Sequence, residues 1–412
     1  MPNAIEPEDV RPARTRFSSD LSRPVPIPPE AIRRAVQVLE SGRLHRYGES
    51  RAGEGEVAAF EREFAALIGS RHALAVNSGG CALFLALKAV GVGPGDAVLT
   101  NAFTLAPVPG AIAHAGARPI LVETTRTLTV DLDDLERKMA RSGARTFLIS
   151  HMRGHVADMD EVTRLCERHG VLMIEDCAHT LGATWNGTAT GRFGHAACFS
   201  THSYKHLNAG EGGVLTTDDP RLVARATILS GSYMFYGAHG AGPAAEHFAE
   251  ARLMMPNCSM RMTELAAAIL RPQLAHLPDW ISSWNRSYRH LERRITGLPH
   301  LEVPPRAAAE GFVGSSLQFI ACGLPAATMS RLLAEADAHG VHVQWFGSAE
   351  PIGYTSRHDS WRYTGPAAPM PRTDEILDGL CDLRVPVGLS PADCDLIGDV
   401  LGEAMTAALA AS

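Results

Sequence analysis

The sequence predicts an α/β fold in which helices cover a mostly parallel sheet, followed by a smaller α+β domain. The first observation is a regular alternation of short apolar runs with amphipathic helical segments in the amino-terminal half, which is typical of βαβ units. The second is that the 412 residues, 45% of them apolar and 20% charged, provide an ordinary core for two or three domains. The third is that strand and helix patterns continue after about residue 301.

The composition argues against several classes of partner and location. The formal net charge of -7 comes from interspersed acids and bases, so we expect neither nucleic acid nor a membrane as a partner. No stretch is apolar for long enough to span a membrane, and the first residues lack the apolar segment of a secretory signal. The eight cysteines are scattered without a CxxC pair, which predicts a cytoplasmic protein without a metal site.

Four segments are predicted along the chain. Prolines and alternating charges leave residues 1–28 without a periodic apolar face, so we expect an arm that embraces a partner subunit. Residues 29–245 are predicted to form the large domain, 246–300 a set of connecting helices, and 301–412 the small α+β domain. The large domain opens with the helical pattern "PEAIRRAVQVLESG", which has proline near its start and glycine at its end.

The alternation follows a second helical pattern, "VAAFEREFAALIG". Its predicted strands are "HALAV", "AVLT", "RPILV", "TFLIS" and "VLMIED". The helical segments between them are "CALFLALKAVG", "APVPGAIAHAG", "LDDLERKMA" and "MDEVTRLCERHG". In a sheet of this kind, ligands bind beyond the carboxyl ends of the strands. Polar residues directly after each strand are therefore the first candidates for a site.

The pattern changes between about residues 180 and 216. The pair Asn186-Gly187 predicts a tight hairpin, and "AACFS" and "GGVLTT" predict the last strands of the large sheet. Residues near 217–300 are predicted to be mainly helical. The small domain is predicted from the strands "SLQFIACG", "VHVQW" and "DLRVPV" and from the helices "ATMSRLLAEADAHG" and "PADCDLIGDVLGEAM".

The first motif, "AVNSGGCAL", ends a strand with Asn77 and Ser78 and opens a helix through Gly79 and Gly80. Free backbone N–H groups and the helix dipole at such a start attract an anion such as phosphate. Glycine also lets the backbone approach the anion closely. Taken alone, these residues are also typical of an ordinary strand-to-helix turn without a ligand.

The second motif, "LMIEDCAHTLGA", delivers Glu175 and Asp176 to the end of an apolar strand, with His179 three residues later. A buried carboxylate requires a cation or a strong hydrogen-bond donor opposite it. These acids could hold a ligand, or they could be a helix N-cap or members of a structural salt bridge.

The third motif, "STHSYKHLNAGEGG", contains Lys205, with no acid before Glu211 to hold its charge. A lysine that forms a Schiff base must be available as the neutral amine, which requires a depressed pKa. The alternative is a surface lysine, the usual location of this residue type. Together, however, a phosphate cradle, an acid beyond a central strand and a downstream amine are what pyridoxal 5'-phosphate requires of a protein.

The ordered motifs resemble those of the DegT/StrS family of pyridoxal-phosphate-dependent sugar aminotransferases. The resemblance is strongest between residues 53 and 270. It rests on "FEREFAALIGSRHALAVNSGGCALFLALKAVGVGPGDAVLT", "GARPILVE", "HMRGHVADMDEV", "GVLMIEDCAHTLGA", "FSTHSYKHLNAGEGGVLTTDD" and "RMTELAAAIL". It implies fold type I, with a large domain built on a seven-stranded type of sheet and a smaller carboxyl-terminal domain.

The resemblance also implies roles for individual residues. Lys205 matches the lysine that forms the Schiff base with the cofactor, and Asp176 the carboxylate that pairs with the pyridine nitrogen. His179 matches a residue near the phenolic oxygen, and the three are the implied catalytic residues. Ser200 matches a phosphate-binding hydroxyl. The other implied cofactor-binding positions are Gly79, Gly80, Cys81, Leu105, Ser259 and Arg261.

Several positions depart from the family pattern. Leu105 stands where an aromatic residue usually stacks on the pyridine ring, unless Phe103 takes that role through a shifted register. Gly80 replaces a threonine, so one phosphate hydrogen bond is expected to be missing. The segment Ser259-Met260-Arg261 replaces the Asn-x-Arg by which one subunit reaches its neighbour's phosphate. Trp345 and Phe346 replace a segment that contains histidine, which favours a smaller or less polar substrate than a nucleotide-linked sugar.

The resemblance implies transfer of an amino group from glutamate or glutamine to a keto sugar, a cyclitol or a related natural-product ketone. It also implies a homodimer with shared active sites. Two alternatives stay open. One is a sugar dehydratase, although relatives with that activity have histidine in place of the lysine at Lys205. The other is a sensor that binds the cofactor without turnover, for which the departures at Gly80 and Leu105 leave room.

Overall fold

The computed structural model of the chain describes residues 16–48, 55–350 and 357–411. Its helices in chain order are α1 (Pro29–Ser41), α2 (Glu56–Ile68), α3 (Gly79–Ala89), α4 (Pro107–His114), α5 (Leu132–Ser142), α6 (Met159–His169), α7 (Pro220–Thr227), α8 (Phe248–Met254), α9 (Glu264–Thr296), α10 (Ala326–Ala338), α11 (Pro371–Gly379) and α12 (Pro391–Ala410).

The strands in chain order are β1 (His72–Val76), β2 (Ala97–Asn101), β3 (Arg118–Val122), β4 (Thr146–Ser150), β5 (Leu172–Asp176), β6 (Thr184–Trp185), β7 (Thr188–Ala189), β8 (Ala196–Ser200), β9 (Gly213–Thr217), β10 (Leu301–Glu302), β11 (Glu310–Gly311), β12 (Ser316–Ala321), β13 (Gln344–Trp345) and β14 (Leu380–Arg384).

The large sheet has seven strands in the order β1-β9-β8-β5-β4-β2-β3. Neighbouring strands are parallel in the part of the sheet that contains β3, β2, β4, β5 and β8. Strand β9 runs antiparallel to both of its neighbours, β8 and β1. The predicted mostly parallel sheet is confirmed. Strands β8 and β9 are its last strands along the chain, yet they lie inside the sheet, because β1 pairs with β9 rather than with β2.

The register of the parallel strands brings distant residues together at one edge of this sheet. Ser150 on β4 pairs with Asp176 on β5, and Asp176 pairs with Cys198 on β8. Ser200 ends β8 two residues further on. The polar carboxyl ends of three neighbouring strands therefore meet where a ligand is expected to bind.

A second sheet, with the order β10-β12-β14-β13, is antiparallel and forms in the carboxyl-terminal part. Two differences from the sequence prediction occur here. The predicted strand "VHVQW" is reduced to Gln344–Trp345, and α11 was not predicted. The apolar residues Ile376 and Leu377 of α11 belong to a local buried cluster that includes Phe346. Because α11 is short, its sequence does not show a long amphipathic pattern.

A small third sheet contains the predicted hairpin. Strands β6 and β7 are antiparallel around Asn186 and Gly187, and Asn186 has the positive φ of 46° that such a turn requires. Strand β11 pairs with β6. This pairing joins residues near 310 to the hairpin of β6 and β7, which precedes β8 of the large sheet in the sequence.

The main hydrophobic cluster is continuous across the large and small sheets. It includes Phe17, Leu21 and Val25 from the predicted arm, and the backbone N–H of Phe17 donates to the carbonyl of His339. Residues 16–28 therefore pack on their own chain, while 1–15 lie outside the described residues. Within 16–48, 55–350 and 357–411, no helix is both long and apolar enough to cross a membrane.

Candidate active site

One cavity at the carboxyl ends of β4, β5 and β8 brings together most of the residues singled out in the sequence. The predicted residues that line it are Gly79, Gly80, Leu105, Asp176, His179, Ser200 and Lys205. Thr104, Ser150 and Met152 line it as well. Cys81 lines a neighbouring, more apolar cavity instead. Ser259 and Arg261 line neither of these two cavities.

Lys205 lies in the turn that follows β8 and is partly buried. Its backbone N–H donates to the carbonyl of His202, and its Nζ lies 2.8 Å from Nε2 of His179. Burial first, and then the positive charge of Arg153, lower the pKa of the Lys205 amine to about 7. The amine is therefore neutral in a large fraction of molecules near neutral pH, as Schiff-base chemistry requires.

His179 is held in the neutral form. Burial and then the charge of Lys205 keep the pKa of this imidazole well below its usual value. Two neutral nitrogens 2.8 Å apart can share one hydrogen bond, with a proton on either partner. His179 is therefore placed to orient the Lys205 amine.

Asp176 ends β5 and presents its carboxylate to the cavity. Its Oδ2 accepts a hydrogen bond of 2.9 Å from the hydroxyl of Ser150, and its Oδ1 accepts from the backbone N–H of Ala178 at 3.1 Å. Thr104 in turn donates from its hydroxyl to Oγ of Ser150 at 2.8 Å. This chain of donors fixes the carboxylate in one orientation.

Glu175, adjacent in sequence, has a different task. Its carboxylate accepts hydrogen bonds from the backbone N–H groups of Gly191, Phe193 and Gly194, at 2.7–2.9 Å. The side chain is fully buried. His151 and Cys177 are near enough to share an ion with it, but these three hydrogen bonds already use both carboxylate oxygens. Glu175 therefore has a structural role, and the sequence motif did not distinguish this role from that of Asp176.

The amino terminus of α3 forms another wall of the cavity. Ser78 caps the helix by accepting from the backbone N–H of Cys81 at 3.1 Å. A Cβ added to Gly79 would lie 2.9 Å from Cβ of Ser200, whereas one added to Gly80 would meet nothing closer than 3.9 Å. Glycine at position 79 is thus required for the helix start to approach Ser200.

Of the two candidates for the ring-stacking position, Leu105 lines the cavity. Phe103 is fully buried and packs edge-to-face on Phe346, with ring centroids 5.1 Å apart. The shifted register is therefore wrong, because Phe103 belongs to the core under the carboxyl-terminal sheet. Trp345 donates from Nε1 to the carbonyl of Asp378.

Arg261 is anchored beside the end of β1. Its Nη1 donates to the carbonyl of Gly231 at 2.5 Å, and its Nη2 to Oγ of Ser259 at 3.4 Å. The neighbouring carbonyl of Met260 accepts from the backbone N–H of Asn77. The two predicted phosphate-binding residues are therefore held together, on a segment outside the cavity that contains Lys205.

Comparison with known proteins identifies the family of the chain. The model of the DegT/DnrJ/EryC1/StrS aminotransferase family matches residues 27–401. The chain belongs to this family. The match covers nearly all of the described residues, including every side chain of the cavity.

Individual relatives agree with the family assignment. The chain is 36% identical to the spore coat polysaccharide biosynthesis protein SpsC of Bacillus subtilis (strain 168) over 257 residues, which are 61% of this chain and 62% of SpsC. Among the first curated relatives, the matched stretch covers 62–65% of their length.

Solved structures match over more of the chain. DesV of S. venezuelae is 29% identical, with a TM-score of 0.77 over 92% of this chain and 98% of that chain. A 3-amino-5-hydroxybenzoic acid synthase is 25% identical, with a TM-score of 0.79 over 95% of this chain and 99% of that chain. The fold is that of the fold type I aminotransferases, as predicted.

Proposed function

We propose that the protein is a pyridoxal-phosphate-dependent aminotransferase that moves an amino group from an amino acid to a small ketone. The observation that carries this proposal is that one cavity contains Lys205, His179 and Asp176. The pKa of the Lys205 amine is about 7. The imidazole of His179 contacts this amine, and the carboxylate of Asp176 is held by Ser150. A phosphate-accepting helix start closes the same cavity.

The residues present fit the cofactor. Lys205 would bond its carbonyl carbon, Asp176 would pair with its ring nitrogen, and Ser200 with the amino terminus of α3 would hold its phosphate. The close approach of Gly79 to Ser200 supports this assignment, because it aligns a hydroxyl with free helix N–H groups. When bound, the cofactor supplies an electron-withdrawing ring that makes a proton on the neighbouring carbon of an amino acid removable.

Lys205 would then act as the base that moves this proton. A group with a pKa of about 7 can both accept and release a proton at neutral pH. His179 orients Nζ through the 2.8 Å contact. The carboxylate of Asp176 accepts from the hydroxyl of Ser150 and from the N–H of Ala178, and these hydrogen bonds would hold it in place opposite the ring nitrogen.

The proposed substrate class is supported by the names of the relatives rather than by the cavity. SpsC is named for polysaccharide biosynthesis, and the 3-amino-5-hydroxybenzoic acid synthase for an aminated ring that is not a sugar. We propose a keto sugar, a cyclitol or a related cyclic ketone as acceptor, and glutamate or glutamine as donor. Trp345 and Phe346 do not bear on the polarity of the acceptor, because Phe346 packs on Phe103 in a buried cluster and neither residue lines the cavity.

A homodimer with shared active sites is part of the proposal. Ser259 and Arg261 lie outside their own cavity, although they are held rigidly next to the strand edge that borders it. Several exposed apolar side chains lie on the segments that precede them: Tyr233, Met234, Phe235, Leu253 and Met254.

The proposal is tested by incubating the protein with pyridoxal phosphate, L-glutamate or L-glutamine, and a panel of keto sugars and cyclic ketones. Formation of the oxo acid from the donor, in equal amount to a new amine from one acceptor, is the expected result. Loss of a hydroxyl from a keto sugar without consumption of donor would indicate the dehydratase. Cofactor binding without any donor turnover would indicate the sensor.

A further inference from the structure

Lys205 lines two cavities, and the proposed mechanism uses one of them. The first contains Asp176 and His179. The second has a volume of about 30 Å³, and of the described residues Lys205 alone lines both. We call the second one the Arg384 cavity; its lining also includes Arg23, Ser203, Tyr204, Ser315 and Arg384. A group bound there would lie next to the residue that is proposed to move the proton.

One wall of the Arg384 cavity is the edge of the carboxyl-terminal sheet. Arg384 ends β14, and the backbone N–H of the next residue, Val385, donates to the carbonyl of Ser315 at 3.0 Å. The hydroxyl of Ser315 lies 2.9 Å from Nε2 of His206. Since His206 directly follows Lys205, these contacts join the end of β14 to the turn that carries the reactive amine.

The guanidinium of Arg384 has a defined orientation. Its central carbon lies 4.4 Å from the centroid of the Tyr204 ring, and Tyr204 directly precedes Lys205. An arginine stacked on an aromatic ring uses the face of its planar group, whereas its N–H donors point outward in the plane. Two such N–H groups in one plane match the two oxygens of a carboxylate.

Charge and size both restrict what the Arg384 cavity can hold. Its basic lining residues are Arg23, Lys205 and Arg384, and within the described part of the chain no acidic side chain lines it. Asp382, two positions before Arg384, is paired with Arg153. A volume of about 30 Å³ leaves room for a group of a few atoms rather than for a ring. These features favour a small anionic group.

Residues of the predicted arm close the Arg384 cavity on another side. Arg23 and Val25 line it. Nη2 of Arg23 donates to the carbonyl of Val387 at 3.0 Å, and Nδ2 of Asn208 donates to the carbonyl of Val25 at 3.3 Å. The arm is therefore fixed both to the segment after β14 and to the turn after Lys205.

We propose that Arg384, with Ser315 beside it, is a binding site for a substrate carboxylate. The inference deepens the proposed function, on which it rests. Because the cavity is small and Lys205 lines it, the carboxylate must stand close to the carbon that reacts. It belongs either to the amino acid donor, on its α-carbon, or to a ring ketone that carries a carboxylate near its carbonyl group.

A purely structural role makes a different prediction. If Arg384 only packed on Tyr204 to join the sheet to the Lys205 turn, carboxylates would not change the accessibility of its guanidinium. A ligand that engages the N–H donors would instead shield them from a reagent. The labelling of Arg384 by phenylglyoxal, which attacks guanidinium groups, distinguishes the two accounts.

The labelling is carried out on the full chain without cofactor, and mass spectrometry of the peptides gives the rate at each arginine. One pair of probes is L-glutamine and 4-aminobutanamide, which differs from it only by lacking the carboxylate. The other pair is 3-oxocyclohexanecarboxylate and its neutral carboxamide. Inorganic phosphate tests whether any anion suffices. Arg126, which is 53% exposed and paired with Glu302, is the internal control.

The labelling rate of Arg384 should fall by about threefold or more with at least one of the two carboxylates, at a concentration well above its Kd. The matched neutral probes and phosphate should leave the rate unchanged, and Arg126 should react equally throughout. Protection by L-glutamine would assign the site to the donor, and protection by the ring acid would assign it to the acceptor. Protection by both would show that the two substrates use it in turn.

A second readout uses the protein with pyridoxal phosphate. In Arg384→Gln, the KM of the substrate whose carboxylate protects should rise by about tenfold or more, because a charge-assisted pair is lost. Its kcat should stay within about threefold, as expected when a contact is equally strong in the ground state and the transition state. Arg137→Gln, on the exposed side of α5, is the matched control and should keep both constants.

Absence of protection by both carboxylates, equal protection by phosphate, or no labelling of Arg384 in the free chain would overturn the proposal. Should Arg384→Gln fail to fold, the labelling of the wild type decides alone. The labelling needs neither cofactor nor turnover. Protection without any aminotransferase activity would therefore refute the proposed function and leave the carboxylate site, whereas activity without protection would refute the site and leave the function.

Discussion

Neighbouring acids on β5 illustrate how position decides chemistry at the scale of single residues. Glu175 and Asp176 are adjacent carboxylates at the end of β5. Successive side chains of a strand point to opposite faces, so Glu175 meets the backbone N–H groups of the 191–194 turn and Asp176 meets the cavity. The carboxylate of Asp176 accepts two hydrogen bonds and lines the cavity, whereas that of Glu175 accepts three hydrogen bonds from the 191–194 turn, outside the cavity.

The role of Asp176 predicts a large loss of turnover on neutralisation. In Asp176→Asn, the ring nitrogen loses its charged partner, and kcat should fall by about a hundredfold or more. Ser150→Ala is the matched control, since it removes one hydrogen bond to the same carboxylate but keeps the charge, and its kcat should fall by about tenfold or less. Steady-state kinetics with saturating cofactor measures both. Near-normal turnover of Asp176→Asn would remove Asp176 from the mechanism.

Lys205, Asp176 and His179 each stand within five residues of a recognisable strand end, and the structure places all three in one cavity; their catalytic roles stay predictions. The sequence gave no indication of Ser150 or Thr104, which also line this cavity. Ser150 is 26 positions from the carboxylate that it contacts, so the contact exists only through the register of β4 and β5. Contacts of this kind cannot be inferred from local patterns.

At the scale of elements, the start of α3 is built for close approach to β8. Gly79 and Gly80 are adjacent in sequence but face different surroundings. In Gly79→Ala, the new methyl group would lie 2.9 Å from Cβ of Ser200 and would displace its hydroxyl. We expect the Kd for pyridoxal phosphate to rise by about tenfold or more, given the usual cost of overpacking.

Gly80→Ala is the matched control for this prediction. Its methyl group would have 3.9 Å to the nearest side chains, those of Pro107 and Ser78, so the Kd should stay within about twofold of the wild type. Fluorescence titration of both variants with the cofactor measures the difference. Equal affinities in the two variants would show that Ser200 and the start of α3 do not hold the phosphate.

The alternation of strands and helices in the amino-terminal half could be predicted because each element carries its own apolar period. The carboxyl-terminal part was less predictable. Helix α11 has nine residues, and the strands β10, β11 and β13 have two each. Elements this short are stabilised by their neighbours rather than by their own sequence, so tertiary contacts decide them.

At the scale of the whole molecule, shared active sites predict complementation between subunits. Lys205→Ala and Arg261→Ala should each be inactive or nearly so as homodimers. If the sites are shared across a two-fold axis, equal mixing and reassociation should restore about a quarter of wild-type activity, because half of the dimers then contain one complete site. Activity assays before and after subunit exchange measure this. Absence of restored activity in verified mixed dimers would exclude the sharing.

The path of the chain over the whole molecule was the least accessible to sequence. Residues 16–28 lack an apolar period, yet Phe17, Leu21 and Val25 fill gaps in a core built from distant segments. Strand β9 lies between β8 and β1. Its pairing with β1 joins residues that are more than a hundred positions apart in the sequence. The proposed limits of the large, connecting and small domains remain predictions, because one hydrophobic cluster crosses them.

The most direct test of the central claim is the absorption spectrum of the purified protein with pyridoxal phosphate, before and after addition of L-glutamate or L-glutamine. The wild type and Lys88→Ala should show the band of the cofactor bonded to a protein amine, and borohydride should fix the cofactor on Lys205. One donor should convert the band to that of the pyridoxamine form. In Lys205→Ala, the initial band should be missing. No band in the wild type, or a label on Lys88 or Lys138, would contradict the account.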